Sequence, residues 1–204
     1  MFSNKKEGNV KEYLKPIRSR EEKEKKLLQK AARLEEKGKL NEAIEYVDQA
    51  IEAYVEHGHL SKAFAAYQKK GSYLYQAGRK EESWNLYQEL EEIYQEDDLI
   101  LPQVYDEMRK QCEDENRFTK AFEMELLATL FTHRSQLLQN QRFHEDTFKI
   151  DRNWEENERC MHLAEQAGID WQPIQTYLRE AYKGIDAHSD FAGIYKDVKK
   201  QFLT

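Results

Sequence analysis

Three stretches of the chain, Gly38-Lys39-Leu40-Asn41-Glu42-Ala43, Gly58-His59-Leu60-Ser61-Lys62-Ala63 and Gly78-Arg79-Lys80-Glu81-Glu82-Ser83, share a glycine followed five residues later by a small side chain, and they recur every 20 residues. A looser copy stands at Asn116-Arg117-Phe118-Thr119-Lys120-Ala121, and a degenerate one begins at Gln141-Arg142-Phe143. Glycine and asparagine are the residues that most readily take the left-handed backbone conformation that ends a helix. Each stretch therefore reads as a turn between two helices, with Asn41 and Ser61 as expected caps of the helices that follow. The small residue five places on falls on a buried stripe, where a large side chain would hold neighbouring helices apart.

Between the turns, apolar residues recur at three and four. One stripe is Leu40, Ala43, Ile44, Val47, Ala50, Ile51 and Tyr54; the next is Leu60, Ala63, Phe64, Tyr67, Gly71 and Leu74. Trp84, Tyr87, Leu90 and Tyr94 follow, then Leu101, Val104, Tyr105, Met108 and Cys112, and a long helix is expected after Phe118 through Phe122, Leu130 and Leu138 to near Asn140. Trp154, Met161 and Ala164, then Ile174, Leu178 and Tyr182, then Phe191, Ile194, Tyr195, Val198 and Phe202 mark further helices, whose starts carry Asp170 with Pro173, and Ser189. The fold class is all-α with about eight or nine helices. Three segments are expected: a basic, flexible arm over residues 1–19, helical repeats over 20–140, and C-terminal helices over 141–204 that continue or cap the array. The charged stretch from Gln141 to Asp151 is the expected loop.

With only 8 Gly and 3 Pro among 204 residues, the composition favours long helices over the many turns of a β protein. Charged residues make up 35%, which suits a thin body with much wet surface. The net charge of -7 is uneven: residues 1–39 hold 13 Lys/Arg against 7 Asp/Glu, so +6 stands at the N-terminus and -13 on residues 40–204. An acidic body opposes nonspecific duplex binding, while the basic arm leaves a route to nucleic acid. The first thirty residues contain no signal-peptide core, and no apolar run approaches membrane-spanning length, so a cytoplasmic location is expected. Cys112 and Cys160 are too few and too isolated for a disulfide framework and read as buried, reduced thiols.

Glu158 and His162, four apart, share a helix face and are half of a metal site, but the second Glu/His pair of a di-metal bundle is missing. His57-Gly58-His59 reads as a helix end in solvent contact. His144, Glu145 and Asp146 have the residue types of an acid and a base, but in a charged loop tip. No Gly-rich phosphate loop, nucleophile elbow or paired CxxC occurs. No cofactor, metal ligand set or catalytic group is expected.

Gly71-x6-Gly78-x4-Ser83-x3-Tyr87, set against Ala31-x6-Gly38-x4-Ala43-x3-Val47-x2-Ala50, resembles the tetratricopeptide repeat family at its small-residue and glycine-turn positions. The copies lie 40 residues apart against the family's 34, so the helices are about a turn longer. That longer form is similar to the soluble NSF attachment proteins and the peptide-responsive regulators of Gram-positive bacteria. The family Trp and Pro positions are largely missing, and the resemblance covers residues 20–97, extending in weaker form to about 140.

The resemblance implies a right-handed solenoid of antiparallel helix pairs with an inner groove that binds peptides or helices: a scaffold or adaptor, not an enzyme. Carried onto this chain, the groove positions are Gln29, Ala32 and Glu36, then Gln68, Ser72, Tyr75 and Gln76. The Lys and Asn clamp that grips a terminal carboxylate in some members is absent, since Leu28, Ala32, Gln68 and Ser72 stand in its places. Tyr75 is the leading binding residue, because tyrosine adds contact area at small entropic cost. Two other functions remain open: a regulator sensing a peptide or small ligand, and nucleic-acid association through the arm. Phe191, Ile194, Tyr195 and Val198 form a terminal stripe that either caps the array or pairs with a second copy.

Overall fold

A computed structural model describes residues 10–143 and 157–203, with side chains placed for residues 22–139 and 157–203. Among the described residues there are nine helices and no strands: α1 (Val10–Glu35), α2 (Leu40–Glu56), α3 (Leu60–Gln76), α4 (Lys80–Ile93), α5 (Leu101–Asp114), α6 (Phe118–Phe143), α7 (Glu158–Ala167), α8 (Trp171–Ala181) and α9 (Phe191–Phe202). The first helix begins well before Ser19, and α6 carries on through Gln141–Phe143 where a further turn was expected. Residues 144–151 of the expected loop, and Trp154, lie outside the described residues.

The turns follow from one backbone device. Gly38, Gly58, Gly78 and Asn116 have φ of 70°, 70°, 79° and 56°. At each, the next residue's N–H reaches back to a carbonyl five residues earlier, Lys39 to Leu34, His59 to Tyr54, Arg79 to Leu74 and Arg117 to Cys112, at 2.8–2.9 Å. The glycine or asparagine N–H donates three residues back. This is the Schellman arrangement, which satisfies carbonyls left over at a helix end. Gly168 repeats it through Ile169 and Ala164.

The same residues correct the expected caps. Lys39 and His59 are the N-caps of α2 and α3, with no side-chain cap bond, and their carbonyls accept from Ala43 and Ala63. Because the residue that closes the Schellman turn also opens the next helix, Asn41 and Ser61 already lie inside helices. Side-chain capping appears later in the chain: Asn157 accepts from Cys160, Asp170 from Gln172, and Asp190, not Ser189, from Gly193.

The chain forms two compact units, Met1–Leu86 and Tyr87–Thr204. In the first, α2 packs on both α1 and α3. Ala43, Ala63 and Ser83 are wholly buried, and the Ser83 hydroxyl donates to the Gly71 carbonyl at 2.8 Å, so α4 meets α3 at a helical glycine. Two contacts span the repeat: the Tyr73 hydroxyl donates to Glu35 at 2.7 Å, and Arg79 Nη1 to Asn41 Oδ1 at 3.3 Å, both 38 residues apart. They set the C-terminal ends of α1 and α3 side by side. Leu60, expected on the buried stripe, is exposed because it sits at the first position of α3, before the helix has turned inward.

In the second unit α6 is the hub, packing on α5, α7 and α9, while α8 packs on α7 and α9. Its core holds Val104, Met108, Phe122, Leu130, Leu163, Ile174 and Leu178, and Ala121 keeps the small-residue position after Asn116. Met161, expected inside, is exposed on the outer face of α7. In the terminal stripe Phe191 and Val198 are fully buried within this unit, and the Tyr195 hydroxyl donates to Glu123 at 2.9 Å. Phe191 and Val198 are thus spent within this unit, where α9 packs on α6 and α8, while Ile194 and Tyr195 are partly exposed.

Candidate functional site

The residues carried over by resemblance fall on two neighbouring helices of the first unit. Gln68, Ser72, Tyr75 and Gln76 share one face of α3, because steps of four, seven and eight return to the same side of a helix. Ser72 and Gln76 are exposed and bonded to each other (Gln76 Nε2 to Ser72 Oγ, 2.9 Å), while Gln68 and Tyr75 are half-buried. Gln29 is exposed on α1 and Glu36 in the turn just after it, with Ala32 half-buried between them. The Tyr73–Glu35 bond brings α1 and α3 together just behind this face, and burial followed by that bond pushes the Tyr73 phenol far above its ordinary range.

Tyr75 differs from the expectation in one respect. Its ring is half-exposed and lies under the Lys80 ammonium, 4.9 Å from the centroid, but its hydroxyl is buried with no partner among the described residues. The surface it offers is therefore a ring face and a nearby cation. The row as a whole presents amides, a hydroxyl and an aromatic face, the groups that hydrogen-bond and pack against a peptide.

The second unit contains a cavity of about 720 Å³ that sequence reasoning missed. Its floor is aromatic, with Tyr105 and Phe131 rings 5.9 Å apart, and its rim carries Glu91, Glu92, Arg134 and Asp190. The Tyr105 hydroxyl donates to Glu91 at 2.8 Å. Burial and the adjoining Glu91 raise the Tyr105 phenol well above its usual value. Arg134 Nε stands 3.5 Å from the buried Asp98 carboxylate, which burial raises and Arg134 partly restores. Every residue involved is common on helix surfaces, and only the packing of α4, α5, α6 and the start of α9 gathers them, so no local signal could have found the cavity.

Buried charges are the other feature hidden in the sequence. Arg109 pairs with Asp106 at 2.6 Å and with Glu113, and its Nε lies 3.1 Å from Glu125, within ion-pair distance but not aligned as a hydrogen bond. Glu123 accepts from Lys120, Tyr195 and Lys199 on one oxygen. In the first unit Glu24, 1% exposed, meets His57 Nδ1 at 2.5 Å. His57 does end α2, but its ring is tied to α1 rather than left to solvent, and His59 sets its ring edge-on to Tyr54. Glu158 and His162 are both exposed on α7, and among the described residues no group of three or more His, Cys, Asp or Glu is placed to hold a metal. His144, Glu145 and Asp146 lie outside the described residues.

No protein-family model matches the chain, and no significant match is found among curated proteins or among solved structures.

Proposed function

We propose that the protein is a non-enzymatic helical-repeat scaffold of the tetratricopeptide type that holds a peptide or helix of a protein partner against the α1–α3 face. The observation that carries this reading is the repeat itself: one Schellman turn and one small-residue contact recur along the chain, and the 38-residue offsets of Glu35–Tyr73 and Asn41–Arg79 set equivalent elements beside one another. A helix pair cannot bury both of its faces alone, and stacking of such pairs leaves the first helices lining one continuous surface. Gln29, Glu36, Gln68, Ser72, Tyr75 and Gln76 are the residues through which that surface would act. A cytoplasmic place of work belongs to the same proposal; among the described residues no helix is long and apolar enough to cross a membrane.

The test is recovery of a partner by the wild-type protein and its loss with Tyr75→Ala and with Gln68→Ala, which remove the ring and the amide of the face without touching the core. Partner binding unchanged in both variants would refute the assignment of the face.

A second reading, a regulator that senses a small ligand or short peptide, is favoured by the cavity over Tyr105 and Phe131, whose volume lies in the range of ligand sites. It predicts that a ligand raises the melting temperature of the wild type and not of Tyr105→Ala, whereas no shift across a library of peptides and metabolites would count against it.

A further inference from the structure

Lys23, Lys26, Lys30 and Arg33 stand three and four residues apart along α1, Lys37 follows in the turn after it, and all five are exposed. At a rise of about 1.5 Å per residue the four on the helix form a row of cations roughly 15 Å long. None is ion-paired with another described residue. Of the carboxylates beside the row, Glu24 is engaged with His57 and Glu35 with Tyr73, while Glu22 and Glu36 stand exposed at its two ends, so the five cations outnumber the carboxylates left near them. Like charges at these spacings disfavour the helix that carries them, so the row is a cost to the isolated protein that a partner would relieve.

The surroundings limit what the partner is. Lys30 Nζ lies 4.0 Å over the Tyr46 ring, and Lys23, Lys26, Leu27, Lys30 and Tyr46 frame a shallow depression of about 300 Å³. Leu27 and Leu34, both half-buried, run along one edge of the row.

We propose that this row docks an acidic amphipathic helix of a partner protein, with carboxylates at the same spacing of three and four facing the cations and apolar residues against Leu27 and Leu34. Two helices laid side by side bring charges of matching period together once per turn, as flanking positions do in coiled coils. A nucleic-acid strand is disfavoured because the chain carries a net charge of -7 and a long polyanion presents more phosphates than these few cations can neutralise. A lipid surface is disfavoured because Leu27 and Leu34 are half packed into the protein and the aromatic beside them, Tyr46, is covered by Lys30. Gln29 stands three after Lys26 and four before Arg33, so the row borders the α1–α3 face, and it is told from that face by the charge of its probe.

Fluorescence anisotropy on the full chain tests it, with a labelled helical peptide carrying Glu at spacings of three and four beside a Leu edge. The comparison probes are a peptide of identical composition with the glutamates scattered round the helix, a single-stranded oligonucleotide, and vesicles containing anionic phospholipid. The periodic peptide is expected to bind, with the scattered one at least about tenfold weaker and Lys26→Glu/Lys30→Glu/Arg33→Glu lowering affinity by more than about tenfold. The milder Lys26→Ala/Lys30→Ala should move affinity in the same direction, and Lys183→Ala, an exposed cation of the second unit, should bind as wild type. Equal binding of the scattered peptide, an unchanged triple variant, or binding of only the oligonucleotide or the vesicles would overturn the proposal. So would self-association in sedimentation that the triple variant abolishes while the periodic peptide fails to bind, which would make the occupant a second copy.

Discussion

Replacing Arg109 by methionine keeps the length of the side chain and removes its charge from the middle of three carboxylates. Arg109 is 3% exposed and holds Asp106, Glu113 and Glu125, of which Glu125 is the most enclosed. Burial pushes the Glu125 carboxyl above its ordinary range, and Arg109 and Arg159 pull it part of the way back. For Asp106, burial also acts upward, but Lys110 and Arg109 outweigh it and hold the carboxyl below its usual value. Removing one partner of a buried charge network leaves an uncompensated charge and costs about 3–5 kcal/mol at neutral pH. In a chain of this size that is a fall in melting temperature of roughly 6–20 °C.

The pH dependence separates charge from packing. A carboxyl whose folded pKa is raised, as for Glu125, adds stability below its ordinary pKa and loses it as pH rises through the folded value; Asp106, with a lowered value, does the reverse. Acidification from pH 7 toward 4 therefore neutralises Glu125 in the variant, while Asp106, with its lowered value, stays ionised and paired with Arg109 in the wild type, so the gap between the two proteins must narrow through Glu125. Scanning calorimetry and circular dichroism at both pH values measure it, and Arg109→Met/Glu125→Gln should recover a substantial part of the loss. A penalty below about 1 kcal/mol, or one that stays constant with pH and ignores the second substitution, would refute the reasoning.

Other positions give narrower expectations. Gly78→Ala places a Cβ on a residue at φ +79° with no neighbour to clash with, so its cost is purely the left-handed backbone, about 1–2 kcal/mol by chemical denaturation. Ser83→Ala removes the donor to Gly71 O and should cost about 1 kcal/mol, whereas Ser83→Leu both removes it and overfills the α3–α4 contact and should cost more, about 2–4 kcal/mol in the same assay. Burial raises both the Cys112 and Cys160 thiols, Cys160 furthest, so neither should react with a thiol reagent in the native protein while both do so in denaturant. Rapid native labelling of Cys160 would contradict its placement between α6 and α7.

The parts of this fold that could be read from sequence are those where one residue type meets a constraint no other tolerates. Gly38, Gly58, Gly78 and Asn116 announce left-handed turns, and Ala43, Ala63, Ser83 and Ala121 announce close helix contacts. Caps were legible only where an Asp or Asn does the work, as at Asp170; at Asn41 and Ser61 the backbone supplied the bond instead. Arg109, Glu123 and Glu24 were hidden because a buried ion pair and a solvated helix face are written in the same letters, and only tertiary packing distinguishes them. The same holds for the candidate site. The α3 face followed from helical spacing, but the inward turn of the Tyr75 hydroxyl and the cavity over Tyr105 depend on neighbours far along the chain.

The central claim, that the α1–α3 face is a peptide-binding surface, is tested most directly by selecting a peptide against the wild-type protein and measuring its affinity for Tyr75→Ala, Gln68→Ala and Tyr75→Phe. The account predicts at least about tenfold weaker binding for the two alanine variants. Tyr75→Phe should bind as wild type, because the hydroxyl is buried without a partner and the ring is what the surface offers. A selected peptide that binds Tyr75→Ala and Gln68→Ala as tightly as wild type, or a library that yields no binder at all, would contradict it.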